Sequence, residues 1–182
     1  MIEVRWHGRG GQGSFTASKL LGEAVALYGG KHALAFPSFG PERRGAPVLA
    51  FTKIDDEKIQ DRSEVQKCDY IVILDETLFN KSFFHDLKPN GIIVLNAENT
   101  ERYSSFDQDK LHLINASGLA QTVLGKPITN TAMLGALAGI SGVAELSSVL
   151  IAINSYFKGE LLQKNKDIIQ QAFEQSIKRS QS

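Results

Sequence analysis

A glycine-rich run near the amino terminus constrains the fold of this 182-residue chain more than any other feature. This glycine loop, Gly8-Arg9-Gly10-Gly11-Gln12-Gly13, follows Ile2–His7, whose apolar and polar residues alternate as in a β-strand. It precedes Ser14–Tyr28, in which apolar residues recur at helical spacing. Glycine allows a sharp turn, and the N-terminus of a helix offers free N–H groups to an anion. A strand, a glycine turn and a helix in this order are typical of the first unit of an α/β domain.

Apolar runs alternate with helical patterns along the rest of the chain. The predicted strands are His32–Phe39, Val48–Ile54, Tyr70–Leu74, Ile92–Leu95 and Leu111–Ile114. The predicted helices are Glu76–Leu87, Ser117–Leu124, Asn130–Ile140, Leu146–Phe157 and Glu160–Lys178, with a turn at Pro89-Asn90-Gly91. This order predicts the α/β class: a three-layer, Rossmann-like domain with a mostly parallel sheet flanked by helices and a helical C-terminal part. Because no repeat or long linker interrupts the pattern, residues 1–182 are expected to form a single domain.

The glycine loop has the spacing of two nucleotide-binding motifs and lacks a residue that each requires. Its glycines fit the dinucleotide-binding pattern, but the next predicted strand ends without an acidic residue to hold a ribose. A P-loop would need lysine and serine or threonine where Ser14 and Phe15 stand. Two interpretations therefore remain, an anion-binding loop or a tight turn without a ligand. The candidate binding residues of the loop are Gly8, Gly10, Gly11, Gln12 and Gly13.

Two further segments contain candidate binding residues. Arg43 and Arg44 lie in a loop framed by glycine and proline, Gly40–Pro47, and guanidinium groups suit a carboxylate or a phosphate. The same loop could equally be a solvated turn or a contact with a partner. Asn130 stands at the predicted N-cap of a helix, where asparagine is favoured for structural reasons alone. Asn165 falls on the apolar stripe of the last helix, so its amide is either structural or part of a site.

Composition excludes several classes of function. Twenty acidic and twenty basic residues give no net charge, which argues against nucleic-acid binding. A single cysteine, Cys68, cannot form an intrachain disulfide or a cysteine-ligated iron–sulfur cluster, and no metal-spaced pair or catalytic constellation is apparent. Thr131–Ile153 is long and apolar, but its small residues indicate two buried helices rather than a membrane span. Its apolar character suggests that part of Thr131–Phe157 faces a partner. No leader precedes the first strand, which predicts a cytoplasmic location.

Taken together, these segments resemble the gamma subunits of pyruvate and 2-oxoisovalerate (2-oxoacid):ferredoxin oxidoreductases. The resemblance spans nearly the whole chain in order. It rests on Arg5-Trp6-His7 with the glycine loop, Ala35-Phe36-Pro37 followed by Gly40, Glu42, Arg43 and Gly45-Ala46-Pro47, Asp75-Glu76-Thr77-Leu78, Asn130-Thr131 with Met133-Leu134-Gly135-Ala136-Leu137, and Asn165.

The resemblance implies a division of labour. Alpha, beta and ferredoxin-like delta subunits would hold thiamine diphosphate, magnesium and iron–sulfur clusters, while this chain would bind no cofactor alone. The complex would convert a 2-oxoacid and coenzyme A into acyl-CoA, carbon dioxide and reduced ferredoxin. This chain would be a non-catalytic subunit, and the glycine loop, Arg43, Arg44 and Asn130 would form a surface for coenzyme A or for a neighbouring subunit.

Three alternatives stay open at this point. The chain could belong to a 2-oxoglutarate-type oxidoreductase, because the oxoacid pocket is expected on other subunits. It could be a free-standing nucleotide-binding protein, which the glycine loop supports and the missing ribose acid and P-loop lysine oppose. It could also be a structural module in which glycines and arginines serve packing alone.

Overall fold

In the described part of the chain, a six-stranded mixed sheet forms the centre of the protein. The computed structural model describes residues 1–38 and 44–180, the last three of these by their backbone only. The strands are β1 (Ile2–Arg9), β2 (His32–Pro37), β3 (Pro47–Asp55), β4 (Cys68–Ile73), β5 (Leu87–Asn96) and β6 (Leu111–Ile114). The α-helices are α1 (Ser14–Glu23), α2 (Phe83–Asp86), α3 (Ala116–Leu124), α4 (Asn130–Ser141), α5 (Leu146–Ala152) and α6 (Gly159–Ser180). A π-helical turn, Ala24–Tyr28, continues α1.

The order of the strands creates a crevice beside β1. Their order across the sheet is β2-β3-β1-β4-β5-β6. Strands β1, β4, β5 and β6 are parallel, whereas β3 is antiparallel to both of its neighbours, β1 and β2. From β1 the chain first adds strands on one side and then returns to add β4 on the other. In open α/β sheets, ligands bind at the carboxyl edge beside such a reversal of strand order. The mostly parallel α/β fold predicted from the sequence is confirmed.

The two faces of the sheet are covered unequally. On the first face the buried side chains of Trp6 and Val72 pack beneath α1, α4 and α6. On the second face Phe51 and Ile71 lie beneath short helical turns and loops, which contribute an aromatic group that includes Phe79. The long helices of the described residues therefore lie on one face, so the layers of the predicted three-layer domain differ in thickness.

Helix α4 lies inside the domain between the sheet and α6. Every residue from Asn130 to Ala138 is buried. Gly135 and Gly139 face the backbone of α6, and a β-carbon at Gly139 would lie 2.5 Å from the carbonyl oxygen of Phe173. The chain's own core thus accounts for the apolar composition of α4, which does not require the partner-facing surface suggested by the sequence. Among the described helices, none combines the length and the apolar character needed to cross a membrane.

Two predictions of local structure were wrong. The segment predicted as a helix over Glu76–Leu87 contains only a 3₁₀ turn, Glu76–Leu78, and the four-residue α2, because Phe79 adopts an extended backbone conformation. The predicted turn at Pro89-Asn90-Gly91 lies within β5. Cys68 pairs with Leu87 and Tyr70 with Ile92, so residues 88–91 stand opposite the single residue Asp69 and form a bulge.

Candidate functional site

The glycine loop connects β1 to α1 at the carboxyl edge of the sheet. Two backbone hydrogen bonds attach it to the start of β3: the Gly10 N–H donates to Ala46 O at 2.8 Å, and the Gly45 N–H donates to Gly10 O at 3.1 Å. Gly11 and Gly13 have φ angles of 94° and 83°, in the left-handed region that favours glycine. Gly13 is also the N-cap of α1. The loop therefore takes a shape that few other residues would permit at these two positions.

An added β-carbon would meet a neighbouring side chain at two glycines of the loop and nothing at a third. A β-carbon at Gly8 would overlap the hydroxyl of Ser14, and one at Gly13 would lie 2.6 Å from Nδ2 of Asn130. A β-carbon at Gly11 would meet nothing within 4 Å. The backbone at Gly11 is thus open on a side where a ligand or a neighbouring chain can approach.

Ser14 and Asn130 have polar atoms next to the loop. Ser14 is 2% exposed, and its hydroxyl has no hydrogen-bond partner within the described ranges. Asn130 is the first residue of α4 rather than its N-cap, which is Thr129, so that sequence prediction was off by one residue. The Asn130 Oδ1 atom accepts a hydrogen bond from the Thr131 N–H at 3.0 Å and so supplies a capping bond from within the first turn. Its amide nitrogen remains directed towards Gly13.

A hydrogen-bond network around Asp75, two residues after the end of β4, fixes the glycine loop. The Asp75 carboxylate accepts hydrogen bonds from Nε of Arg9 at 3.1 Å, Nε2 of Gln12 at 2.9 Å and the backbone N–H of Thr77 at 3.0 Å. Gln12 Oε1 in turn accepts the Arg9 N–H at 2.7 Å. Burial alone would raise the pKa of Asp75, but the hydrogen bonds from Thr77 and Gln12 and the charge of Arg9 lower it overall. The carboxylate is therefore ionised, and it ties β1, β4 and the loop together.

Arg9 extends the network to the start of β3. Its Nη1 donates to Gly45 O at 3.1 Å, and its Nη2 donates to Thr77 Oγ1 at 2.8 Å. The guanidinium is thus used for positioning and is paired with a carboxylate, which leaves it little capacity for an anionic ligand.

One side of the loop borders a cleft of about 370 Å³. Its lining residues are Gly11, Gln12, Leu74, Asp75, Glu76, Asn96, Glu98, Ser117, Pro127, Ile128 and Thr129. The Asn96 amide joins two segments of this lining, because its Nδ2 donates to Leu74 O at 2.9 Å and its Oδ1 accepts the Ser117 N–H at 3.1 Å. Of the described residues that line the cleft, three are carboxylates and none is a cation, so this lining disfavours a phosphate.

Arg44 lies on the other side of the loop, where its backbone bridges that of Gly10 and its side chain is exposed. The structure thus brings the glycine loop, Arg44 and Asn130 together at one edge of the sheet. Arg43 lies outside the described residues. The sequence interpretation did not include Asn96, the last residue of β5, or Ser117, in the first turn of α3 after β6, although their places at the carboxyl ends of these strands could have indicated them.

No group of three or more His, Cys, Asp or Glu residues in the described part of the chain could hold a metal ion. Cys68 is buried, and burial raises the pKa of its thiol to about 11.

Comparisons with known proteins agree over nearly the full length. A model of the pyruvate ferredoxin/flavodoxin oxidoreductase family matches residues 3–175. Pyruvate synthase subunit PorC of Methanocaldococcus jannaschii is 45% identical over 180 residues, which cover 98% of this chain and 99% of that protein. The pyruvate/ketoisovalerate oxidoreductases common subunit gamma of Thermococcus litoralis is 43% identical, with coverage of 97% and 98%.

A solved structure extends the likeness to three dimensions. The crystal structure of pyruvate oxidoreductase subunit PORC from Thermotoga maritima matches with a TM-score of 0.81 at 34% identity and covers 95% of each chain. Family model, sequence relatives and structure agree along the same residues. This chain belongs to the pyruvate ferredoxin/flavodoxin oxidoreductase family.

Proposed function

We propose that this chain is the gamma subunit of a cytoplasmic, thiamine-diphosphate-dependent 2-oxoacid:ferredoxin oxidoreductase. The substrate is pyruvate or a branched-chain 2-oxoacid, and the products are acyl-CoA, carbon dioxide and reduced ferredoxin. The observation that carries the proposal is the full-length identity of 43–45% to relatives named as pyruvate synthase and pyruvate/ketoisovalerate oxidoreductase subunits.

In this proposal the chain performs no redox chemistry by itself. Alpha, beta and ferredoxin-like delta subunits hold thiamine diphosphate, magnesium and the iron–sulfur clusters, and ferredoxin is the acceptor. The state of Cys68 supports this assignment, because a single buried thiol with a raised pKa is neither a cluster ligand set nor a reactive nucleophile. The isolated chain is expected to fold and to show no oxidoreductase activity.

The glycine loop, Arg43, Arg44 and Asn130 form the surface proposed to meet a phosphate of coenzyme A or a carboxylate of a neighbouring subunit. Three observations support it: the open backbone at Gly11, the N-terminus of α1, and the buried Ser14 hydroxyl, which has no hydrogen-bond partner among the described residues. The carboxylates of the cleft repel an anion on one side, so the ligand is expected on the side of Arg44.

Variants in the assembled complex test the site. Gly11→Ala adds a methyl group in open space and keeps the loop clear of internal clashes, and Arg44→Ala removes one cation. Both are expected to raise the KM for coenzyme A severalfold while the KM for the oxoacid stays constant. Arg62→Ala, which removes an exposed arginine between β3 and β4, is the matched control. An unchanged KM for coenzyme A in both loop variants leaves only the contact with another subunit.

The same complex tests the activity. Reduction of ferredoxin or a viologen dye is measured with pyruvate, 2-oxoisovalerate and 2-oxoglutarate in turn, each with coenzyme A. The proposal expects turnover of one or both of the first two. Turnover of 2-oxoglutarate alone would exclude the proposed substrate class, and a fully active complex without this chain would exclude the subunit assignment.

A further inference from the structure

Strand β2 is an open edge of the sheet. It pairs with β3 on one side, and no strand lies on its other side in the described part of the protein. The Ser38 N–H donates to Leu49 O at 3.0 Å, so Ser38 and Leu49 are a hydrogen-bonded antiparallel pair. Because such pairs alternate along a ladder, Leu34 and Phe36 bond to β3, while the N–H and C=O groups of Ala33 and Ala35 point away from the sheet.

These outward groups meet no hydrogen-bond partner in the part of the chain that the structure describes. Within residues 1–38 and 44–180, no hydrogen bond involves the backbone of Ala33 or Ala35 outside the ladder with β3. The run of unpaired backbone groups is limited at both ends. The Lys31 N–H already donates to Val25 O at 3.1 Å, and Pro37 has no N–H to offer. The edge therefore presents two donors and their two matching acceptors, over three residues.

The residues that carry these groups are self-complementary. Ala33-Leu34-Ala35 reads the same in both directions, and β2 contains no acidic residue, lysine or arginine. The charge of Lys31, just before the strand, is paired with Asp56 at 3.0 Å. Beside the strand, the π-helical turn exposes Leu27 and Tyr28, at 68% and 47%. The edge thus combines unpaired backbone groups with an apolar flank, the features of a strand that pairs with another chain.

We propose that β2 pairs with β2 of a second copy of this chain about a twofold axis through Leu34. Ala33 of one copy then faces Ala35 of the other, and four N–H···O=C hydrogen bonds join the two sheets into one of twelve strands. The two Leu34 side chains face each other on the second face of the sheet. A foreign antiparallel strand could supply the same backbone donors and acceptors, but a second copy also matches the side chains of Ala33-Leu34-Ala35 by symmetry.

Proline substitution tests the hydrogen bonds. Ala35→Pro removes the Ala35 N–H from both copies, and the sheet tolerates proline in this orientation because Pro37 already occupies it. The dissociation constant of the dimer, measured by sedimentation with the full chain, is expected to rise on the order of tenfold or more. Tyr28→Ser is expected to weaken the dimer as well. Ile151→Ser, which changes an apolar residue of similar exposure on α5, is the matched control and should leave it intact.

A charge exchange tests the axis itself. Leu34→Lys and Leu34→Glu each place like charges opposite one another and should be monomeric, whereas an equimolar mixture should restore dimers.

Hydrogen exchange adds a local measurement: the amides of Ala33 and Ala35 should be protected in the wild-type dimer and exchange rapidly in the Leu34→Lys variant, while that of Phe36 stays protected in both. A wild-type chain that remains monomeric at high concentration overturns the proposal, as does a dimer that all β2 variants leave intact. Neither result bears on the proposed activity, which depends on other subunits.

Discussion

Nε of Arg5 donates a hydrogen bond to Nε2 of His7 at 3.0 Å, so this ring nitrogen carries no proton and the imidazole is held neutral. Both side chains lie on the second face of the sheet, where His7 is 8% exposed and its ring packs at a tilt of 43° against that of Phe83. Arg5 is paired with Asp86. Burial, followed by the charge of Arg5, lowers the pKa of His7 to about 3.

The first prediction is a loss of stability on mild acidification. In the unfolded chain His7 takes up a proton near its ordinary pKa of about 6.5, whereas in the folded protein it does so only near 3. Stability contributed by the neutral imidazole is therefore present above pH 6.5 and lost as the pH falls towards 3. Between pH 7 and pH 5 this amounts to about 2 kcal/mol of unfolding free energy. His7→Gln retains an acceptor for Arg5 without a titrating group, and urea unfolding should show a smaller loss. Equal losses in both proteins would contradict the assignment.

The second prediction separates the two left-handed glycines of the loop. Gly11→Ala and Gly13→Ala both place alanine at a positive φ, which costs about 1–2 kcal/mol. Only the second also drives a β-carbon to 2.6 Å from the Asn130 amide. Thermal or urea unfolding should therefore show a larger loss for Gly13→Ala. Adding Asn130→Ala should recover part of that difference and have no such effect beside Gly11→Ala.

The third prediction concerns the contact between α4 and α6. A β-carbon at Gly135 would overlap the backbone of Ile169, which cannot move without displacing α6. Gly135→Ala should destabilise the domain at the upper end of about 1–3 kcal/mol. Gly142→Ala is the control, because its added β-carbon meets nothing within 4 Å and its cost is that of a positive φ alone. Equal unfolding free energies for the two variants would mean that α6 shifts freely.

Sequence patterns identified the elements whose signal is local. The predicted bounds of Leu111–Ile114 coincide with those of β6, because a short apolar run bounded by polar residues is typical of a buried strand. The glycine loop was likewise placed correctly between β1 and α1. Arg44 was expected at the same edge as the loop, and the bridge between Arg44 and Gly10 confirms it.

Features that depend on distant residues could not be predicted in this way. The direction of β3 is set by its pairing with β1 and not by its own composition. The network of Asp75 joins it to Arg9 and Gln12, more than sixty residues earlier, so no local pattern in the sequence indicates it. Only the hydrogen bond from the Thr77 N–H to the same carboxylate joins residues that are close in the sequence.

The final prediction resolves the role of Asn165, which the sequence left open between structure and site. Oδ1 of Asn165 accepts a hydrogen bond from the Thr131 hydroxyl at 2.8 Å, and its Nδ2 donates to Leu161 O at 2.8 Å. Both side chains are buried, so the pair serves to join α4 to α6. Asn165→Leu leaves the Thr131 hydroxyl unpaired and should cost about 1–3 kcal/mol of unfolding free energy. Thr131→Val should cost a similar amount, because it leaves Oδ1 of Asn165 without its donor.

The double variant is the decisive measurement. With both polar groups replaced by apolar ones, the double variant should lose less stability than the sum of the two single losses, by about 0.5–3 kcal/mol. The reason is that each single change leaves a buried polar group of the partner without a hydrogen bond, whereas the double variant does not. Urea unfolding of the four proteins closes this cycle, and strictly additive costs would contradict a direct bond. In the assembled complex all four should show the same KM for coenzyme A, because the pair faces the helices of the core. A KM that rises with Asn165→Leu while stability holds would instead place the amide in the ligand site.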